Sequence, residues 1–284
     1  MTSKPVPPPP LRAPLRPVDT ASKTAEDLTR RPAPADLTKV LAFDTSTEHL
    51  AIGLQAPGGP WHVVAEGGAK ASATLLPLAM GLLAGAGLVP ADLHFVAYGC
   101  GPGAFTGLRT ACAVAQGLGY GIGCPLLAID SLLIVAEDAR LQADVDDAPG
   151  ATPFDVAVAM DARMDEAYAA VYRWQAGVWQ VLQAPALATL PTLNAAWADL
   201  ALDAVAGSAW PAFGARLLAP GAAPCFAEAD RAAALLRLAV RAAAAGHGLD
   251  PADALPLYLR DKVAQTTAER AAVRAAAAAA VPTT

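Results

Sequence analysis

A strand that ends in an aspartate and is followed by a short turn and a second strand occurs twice in this chain. The first copy is the apolar segment 40–43 with Asp44, and the second is the apolar segment 154–160 with Asp161. Each continues through a further turn into a third strand candidate, as an antiparallel meander does. An internal duplication predicts such a pair, and a chance match of two hairpins is the alternative.

Helical and strand patterns alternate after the first meander. The order β-β-β-α-β-α-β-α predicts an α/β fold in which a mixed sheet with an antiparallel edge is flanked by helices. Thr74 is expected to cap the first helix, which places Pro77 in its first turn. Ser131 is expected to cap the third helix. The predicted segments are a helix over 72–86, a strand over 93–98, a helix to about residue 120, a strand over 126–129 and a helix over 131–140.

The two copies predict two lobes, and the chain ends fall outside the repeat. We expect the first lobe over residues 39–150 and the second over 151–284, with an alanine-rich C-terminal tail. Residues 1–38 include four consecutive prolines, 7–10, and carry six basic and four acidic residues. Proline removes donors and fixes φ, so this segment is expected to be an extended, disordered tail. A start codon assigned too early is the other interpretation.

Composition excludes several functional classes. The chain is 55% hydrophobic and 16% charged, which is unlike a disordered protein. Its net charge of −6 disfavours binding of nucleic acid by this chain alone, because that affinity comes from neutralised phosphates. Four cysteines without a C-x-x-C pair predict reduced, mostly buried thiols and a cytoplasmic location. The uncharged run 110–129 is interpreted as a helix, a turn and a strand and not as a membrane span, since alternating glycines interrupt it.

The turn after the first strand is a candidate phosphate site. Small residues after a strand let backbone N–H groups face a phosphate, and an aspartate there can orient hydrated Mg²⁺. Possible nucleotide-binding residues are therefore Asp44, Thr45 and Thr47. Together with Asp161 in the second copy, these residues suggest an alternative function. The chain would then be a nucleotide-dependent phosphotransferase or ATPase of the actin-like class. A structural hairpin is at least as probable, because the turn contains no glycine.

The glycine-rich loop is a second candidate site. Residues 99–104 read G-x-G-x-x-A after a strand and before a helix, and Asp130 ends the next strand, as in a dinucleotide-binding unit. Pro102 removes a donor from the loop, and the motif does not open a βαβ unit. This dinucleotide interpretation is the weaker one.

The helix after that loop carries two stripes of small residues. Small side chains allow close approach of a second helix, from within the chain or from another subunit. The stripes consist of Gly107, Ala111, Ala115 and Gly119, and of Ala113, Gly117 and Gly121. The four histidines form no H-x-x-x-H or H-E-x-x-H pair, so the sequence predicts no helical metal site and no set of catalytic groups.

Several strings together resemble the TsaB family, also called YeaZ. The most specific is Gly-Pro-Gly-x-Phe-Thr-Gly-x-Arg within residues 98–109, and Asp-Ala-Arg-Met at 161–164 supports it independently. Further matches lie at 40–47, 115–118 and 256–260, so that the resemblance covers roughly residues 39–265. It implies duplicated lobes of the actin, sugar-kinase and Hsp70 type, also called ribonuclease H-like.

The resemblance also implies a function. Members of this family are non-catalytic partner subunits of the paralogue TsaD, a threonylcarbamoyltransferase. They are required for N6-threonylcarbamoyladenosine at position 37 of tRNAs that read codons beginning with A. The ATPase TsaE joins the complex. No cofactor is expected on this subunit, because ATP and a divalent metal are used by the wider complex. tRNA is expected to bind only through that complex, and no membrane is expected to be involved.

The partner interface implied by the resemblance involves the helices near 72–86 and 106–120. They would contact the equivalent helices of TsaD. A homodimer of the isolated chain through the same helices is a further interpretation. The implied interface residues are Gly103, Phe105, Thr106, Arg109, Ala111, Ala115, Leu75 and Leu76.

Overall fold

The computed structural model describes residues 38–148, 151–220 and 223–260. The predicted proline-rich and alanine-rich tails therefore lie outside the described residues, apart from Thr38. Within the described part, the chain repeats one order of strands and helices. The first copy comprises β1 (Val40–Asp44), β2 (His49–Ala56), β3 (Gly59–Glu66), α1 (Ala71–Gly85), β4 (Phe95–Gly101), α2 (Phe105–Ile122), β5 (Leu126–Asp130) and α3 (Ser131–Gln142).

The second copy follows the same order with shorter elements near its end. It comprises β6 (Phe154–Asp161), β7 (Glu166–Gln175), β8 (Val178–Thr189), α4 (Leu190–Trp197), β9 (Ala204–Ala206), α5 (Ala209–Phe213), β10 (Cys225–Phe226) and α6 (Arg231–Ala244).

The two sheets have the same topology. Their strand orders are β3-β2-β1-β4-β5 and β8-β7-β6-β9-β10. In both, the meander strands pair antiparallel, and the two later strands add in parallel beside the first meander strand. The predicted duplication and the predicted mixed α/β fold are confirmed.

Strand position explains the sequence patterns. All five residues of β1 are buried, because this strand lies at the centre of its sheet with helices on both faces. It therefore appears in the sequence as a continuous apolar run. The edge strand β3 instead alternates half-buried and exposed residues, with Trp61 and Val63 turned toward the core.

The last helix of each copy packs against the sheet of the other copy. Leu235 and Leu236 of α6 contact Val40 and Ala42 of the first sheet. In α3, Leu132 and its neighbours pack against β6 and β7 of the second sheet. The two helices also contact each other and lie between the sheets. The outer face of the first sheet is covered by α1 and α2, and that of the second by α4 and α5.

Two helix starts differ from the predictions. The first helix begins at Ala71, so Pro77 lies in its interior and Thr74 does not cap it; the Thr74 hydroxyl donates to the carbonyl of Lys70. The third helix is capped by Asp130, whose carboxylate accepts from the amide of Leu132. An aspartate at the end of a strand is as good a cap as a serine, and the backbone of Asp130 is already extended.

Two apolar stretches meet the length of a membrane span. Residues 110–129 divide into the end of α2, a left-handed turn at Gly123 and β5, as predicted. By length and composition alone, Gly68–Gly85 could also cross a membrane. Of this segment 22% is buried, including Leu75 and Leu83 in the core of the first lobe, and a single such helix is weak evidence for a membrane span.

Candidate functional site: the inter-lobe cleft and the α1/α2 face

The carboxylate of Asp44 is fully buried at the end of β1. Its Oδ1 accepts from the amide of Ser46 at 2.8 Å and from the Ser46 hydroxyl at 2.6 Å. The Ser131 hydroxyl donates to Oδ2 at 2.8 Å, and Nε of Arg231 lies 3.3 Å from Oδ1. Burial raises the pKa of Asp44, but Arg231 and these hydrogen bonds outweigh it and hold the pKa below its ordinary value.

Arg231 is the buried cation of this cluster. It also pairs with Glu228 and donates to the Ser46 hydroxyl and to the carbonyl of Ser131. Asp44 and Glu228 raise the pKa of Arg231 despite its burial, so both charges persist. A phosphotransferase built on Asp44 and Asp161 would first have to break this ion pair.

The residues predicted to bind nucleotide differ in access. Asp44 and Thr45 are buried, and the Thr45 hydroxyl donates to the carbonyl of Gly107 at 2.7 Å. Only Thr47 of the three lines the cleft between the lobes. Nucleotide binding at this turn stays a prediction.

Glycines on both sides of the loop before α2, Gly99 in β4 and Gly107 in α2, let the Asp44 turn approach closely. A Cβ atom at Gly99 would lie 1.7 Å from Oδ2 of Asp44, and one at Gly107 would lie 1.8 Å from the carbonyl oxygen of Thr45. Asp130 caps α3 and accepts from the Tyr172 hydroxyl at 2.5 Å. Internal packing therefore accounts for the features that gave the dinucleotide interpretation.

The second copy repeats the aspartate turn. Oδ1 of Asp161 accepts from the amide of Arg163 at 2.7 Å, the counterpart of the bond between Ser46 and Asp44. Arg163, Met164 and Asp165 have φ values of 65°, 60° and 58°. Left-handed backbone is costly for residues with side chains, so neighbouring contacts must hold this turn.

A cavity of about 780 Å³ separates the two turns. Thr47 and Glu48 line it from the first copy, and Asp161 and Arg163 from the second. A carboxylate oxygen of Glu48 lies 3.6 Å from the Arg163 guanidinium, so the two turns face each other across this cleft.

The segment 255–260, here called the strap, joins the two sides of the cleft. The amide of Leu257 donates to the carbonyl of Cys100 at 2.6 Å, and the Tyr258 ring lies 5.2 Å from that of Phe105. At its other end, Arg260 pairs with Glu166 at 2.7 Å and donates to the carbonyl of Ala162 at 2.9 Å. The Pro-Leu-Tyr-Leu-Arg string of the strap was noted in the sequence, but no sequence pattern indicated that it joins the two sides of the cleft.

Three of the predicted interface residues face the core of the chain. Leu75, Ala111 and Ala115 are fully buried in the first lobe, so they cannot contact a partner, and this part of the prediction is wrong. The stripe that contains Ala111 and Ala115 is small because α2 lies close to its own lobe. At Gly119, for example, a Cβ atom would meet Pro251 at 2.7 Å.

The other predicted interface residues divide by exposure. Leu76, Thr106 and Arg109 are exposed on the outer side of α1 and α2. Gly103 and Phe105 are half-buried at the start of α2. Whether any of them contacts a partner stays a prediction.

The outer side of α1 and α2 has an unusual composition, and we call it the α1/α2 face. It has small and apolar side chains and a single charged one, Arg109. Its exposed residues are Ser72, Ala73, Leu76, Pro77, Gly81, Ala84, Gly85, Thr106, Arg109, Ala113, Gly117, Tyr120 and Gly121. A Cβ atom at Gly81, Gly117 or Gly121 would meet no atom within 4 Å. Exposed apolar patches of this kind mark interaction sites.

Metal-ligating and thiol groups are dispersed in the described ranges. No group of three His, Cys, Asp or Glu residues within them is close enough to hold a metal ion. The cysteines are free, as predicted, but Cys225 is exposed. Burial raises the pKa of the Cys100 thiol to about 12, so it is protonated at neutral pH.

Comparison with known proteins identifies similar chains. The model of the family "TsaD: tRNA N6-adenosine threonylcarbamoyltransferase" matches residues 65–204. The "tRNA threonylcarbamoyladenosine biosynthesis protein TsaB" of Escherichia coli is 30% identical over 237 residues, which cover 80% of this chain and 96% of that protein. The Haemophilus influenzae protein of the same name is 33% identical over 129 residues, covering 45% of this chain and 51% of that one.

Solved structures agree with the sequence comparison. A structure described as YeaZ from Pseudomonas aeruginosa matches with a TM-score of 0.68 and 34% identity, over 78% of this chain and all of that one. A second structure from that organism, described as similar to peptidase YEAZ, matches with a TM-score of 0.69 and 33% identity, over 79% of this chain and all of that one.

Proposed function

Because the chain belongs to the TsaB family, we propose that it acts in tRNA threonylcarbamoyladenosine biosynthesis as the non-catalytic partner subunit of TsaD. The observation that carries this proposal is the similarity to the E. coli TsaB protein, which extends over nearly its whole length. The match of the TsaD family model to residues 65–204 adds that the chain and its proposed partner share a fold.

The α1/α2 face supports the choice of surface. Both helices lie inside the segment that matches the TsaD model. A paralogue would present two equivalent helices, and small residues such as Gly81 and Gly117 let helices approach to the short end of the usual 8–10 Å axis separation. Leu76 and Tyr120, 44% and 62% exposed, supply apolar area for such an interface.

The remaining assignments follow from this role. TsaE, ATP and a divalent metal would serve the assembled complex in the cytoplasm, with no cofactor held by this subunit. With a net charge of −6, the chain is unsuited to grip the tRNA backbone alone, so tRNA would bind through the complex.

A reconstituted transfer assay tests the proposal. TsaD, TsaE, threonylcarbamoyl-adenylate and unmodified tRNA are combined with and without the purified chain, and modified adenosine is quantified by mass spectrometry. Product is expected only when the chain is present. Equal product without the chain, or no co-elution of the chain with TsaD, would contradict the proposal.

A further inference from the structure

Arg109 is an exception among the cations of the described residues. Every other lysine and arginine in those ranges has a side-chain nitrogen within 4.0 Å of a carboxylate oxygen. Arg109 has no carboxylate partner in the described part of the chain, although acids outnumber bases in the sequence as a whole. It is also the single charge on the α1/α2 face.

The Arg109 guanidinium is nevertheless held in place. Its Cζ lies 3.8 Å from the centroid of the Phe105 ring, and its Nε donates to the Tyr258 hydroxyl at 2.9 Å. Cation–π stacking and this bond fix the plane of the group. They use Nε, so the terminal nitrogens Nη1 and Nη2 remain for a carboxylate, which an arginine binds in a two-pronged geometry.

We propose that Arg109 receives a carboxylate from an acidic side chain of the subunit that covers the α1/α2 face, and that this pair makes the face select that partner over a second copy of the chain. The inference rests on the proposed function, because it takes the occupant of the face to be TsaD.

Charge on the face argues against self-pairing. Neither α1 nor α2 contains an aspartate or glutamate. Two copies packed through this face would bury two Arg109 side chains without an acid from either helix pair, and a desolvated charge without a partner is costly. A surface gains specificity when its charge is paired in the complex with the correct partner and left unpaired in a complex with another one.

The test compares two equilibria for one variant. In Arg109→Gln, the dissociation constant for TsaD is expected to rise about 30-fold, as for loss of one member of a desolvated charge pair. Self-association of the isolated variant, measured by sedimentation equilibrium, is expected to be as strong as in the wild type or stronger. A purely structural role of Arg109 would weaken both equilibria together, and that result would overturn the proposal.

Arg216→Gln is the matched control. Arg216 is an exposed arginine that pairs with Asp165 away from the α1/α2 face, so its loss should leave both equilibria unchanged. Arg109→Lys keeps the charge without the two-pronged geometry, and its affinity for TsaD should fall between wild type and Arg109→Gln.

The outcomes separate the inference from the proposed function. If the wild-type chain binds TsaD and Arg109→Gln binds within twofold of it, the inference alone fails. If the wild-type chain does not bind TsaD, the proposed function fails.

A charge swap locates the partner of Arg109. The variant Arg109→Glu should bind TsaD weakly and should regain affinity when one acidic residue of the TsaD helices is replaced by arginine. If no such replacement restores binding, the proposed pair is contradicted.

Discussion

Nε of Arg231, at the start of the last helix, lies 3.3 Å from Oδ1 of Asp44, at the end of the first strand. Both side chains are buried, with exposures of 2% and 0%. The ion pair therefore joins opposite ends of the described chain inside the protein.

Removal of Asp44 is expected to destabilise the fold strongly. In Asp44→Ala, the Arg231 guanidinium stays buried and keeps Glu228 as its remaining carboxylate partner, so the cost is expected near the lower end of the about 3–5 kcal/mol typical of a broken buried pair. Urea denaturation measures the change in the free energy of unfolding. Asp161→Ala is the matched control in the second copy, where the same turn is more exposed, and it should cost less. An equal loss in the free energy of unfolding at the two positions would show that the ion pair with Arg231 adds no stability beyond that of the turn itself.

The same carboxylate predicts an acid-sensitive stability. Its pKa lies below the ordinary value of 3.8 in the folded state, so the unfolded chain binds the proton more tightly. Its contribution is therefore complete above about pH 5 and is lost as the pH falls through the lower, folded-state pKa. Denaturation of wild type and Asp44→Asn between pH 7 and pH 3 should give two stability curves that converge toward acid. Parallel curves would be evidence against a lowered pKa.

Two glycines on α2 should respond to alanine in opposite directions. At Gly107 a Cβ atom would lie 1.8 Å from the carbonyl oxygen of Thr45, so Gly107→Ala is expected to destabilise by about 1–3 kcal/mol. At Gly117 nothing lies within 4 Å, and Gly117→Ala should stabilise the helix by up to about 1 kcal/mol. Thermal unfolding of both variants checks the pair, and a loss of stability in each would contradict the positions described here.

A charge on the α1/α2 face is expected to separate binding from folding. Leu76 is 44% exposed, so Leu76→Asp should reduce TsaD binding by more than tenfold and leave the melting temperature within a few degrees of wild type. Size-exclusion chromatography with TsaD and a thermal melt give the two readouts. Val181→Asp, at a site on β8 that is 58% exposed, is the control and should bind normally. Normal binding by Leu76→Asp would place the interface elsewhere.

The strap is expected to hold the left-handed turn at 163–165. In Arg260→Gln, the pair with Glu166 is lost, and the residues that flank the turn lose their contact with the strap. Amide hydrogen exchange at residues 163–166 should increase about tenfold or more, while exchange in β1 should stay as in wild type. Unchanged exchange at the turn would show that local contacts suffice to hold it.

Local patterns predicted much of this fold. Apolar runs ending in Asp44 and Asp161 identified the two meanders, because strand alternation and turn chemistry are encoded within a few residues. The family strings added the actin-like architecture. The exchange of α3 and α6 between the sheets was not predicted, since it depends on contacts between residues far apart in sequence.

The small residues of α2 show where sequence reasoning reached its limit. An alanine on a helix suits both a crowded core and a close subunit contact, so the sequence alone could not distinguish Ala111 from Ala113. The structure places the first inside and the second outside. Arg231 was missed for a related reason, because an arginine in the first turn of a helix usually lies in solvent.

The exchange of α3 and α6 also governs how the chain can be made. Leu235 and Leu236 cover much of the inner face of the first sheet, so α3 alone supplies helical cover there until the ribosome has released residues 231–244. The first lobe alone would leave the part of this face that α6 covers exposed, and a protein cut between the copies should not yield two independent folded halves.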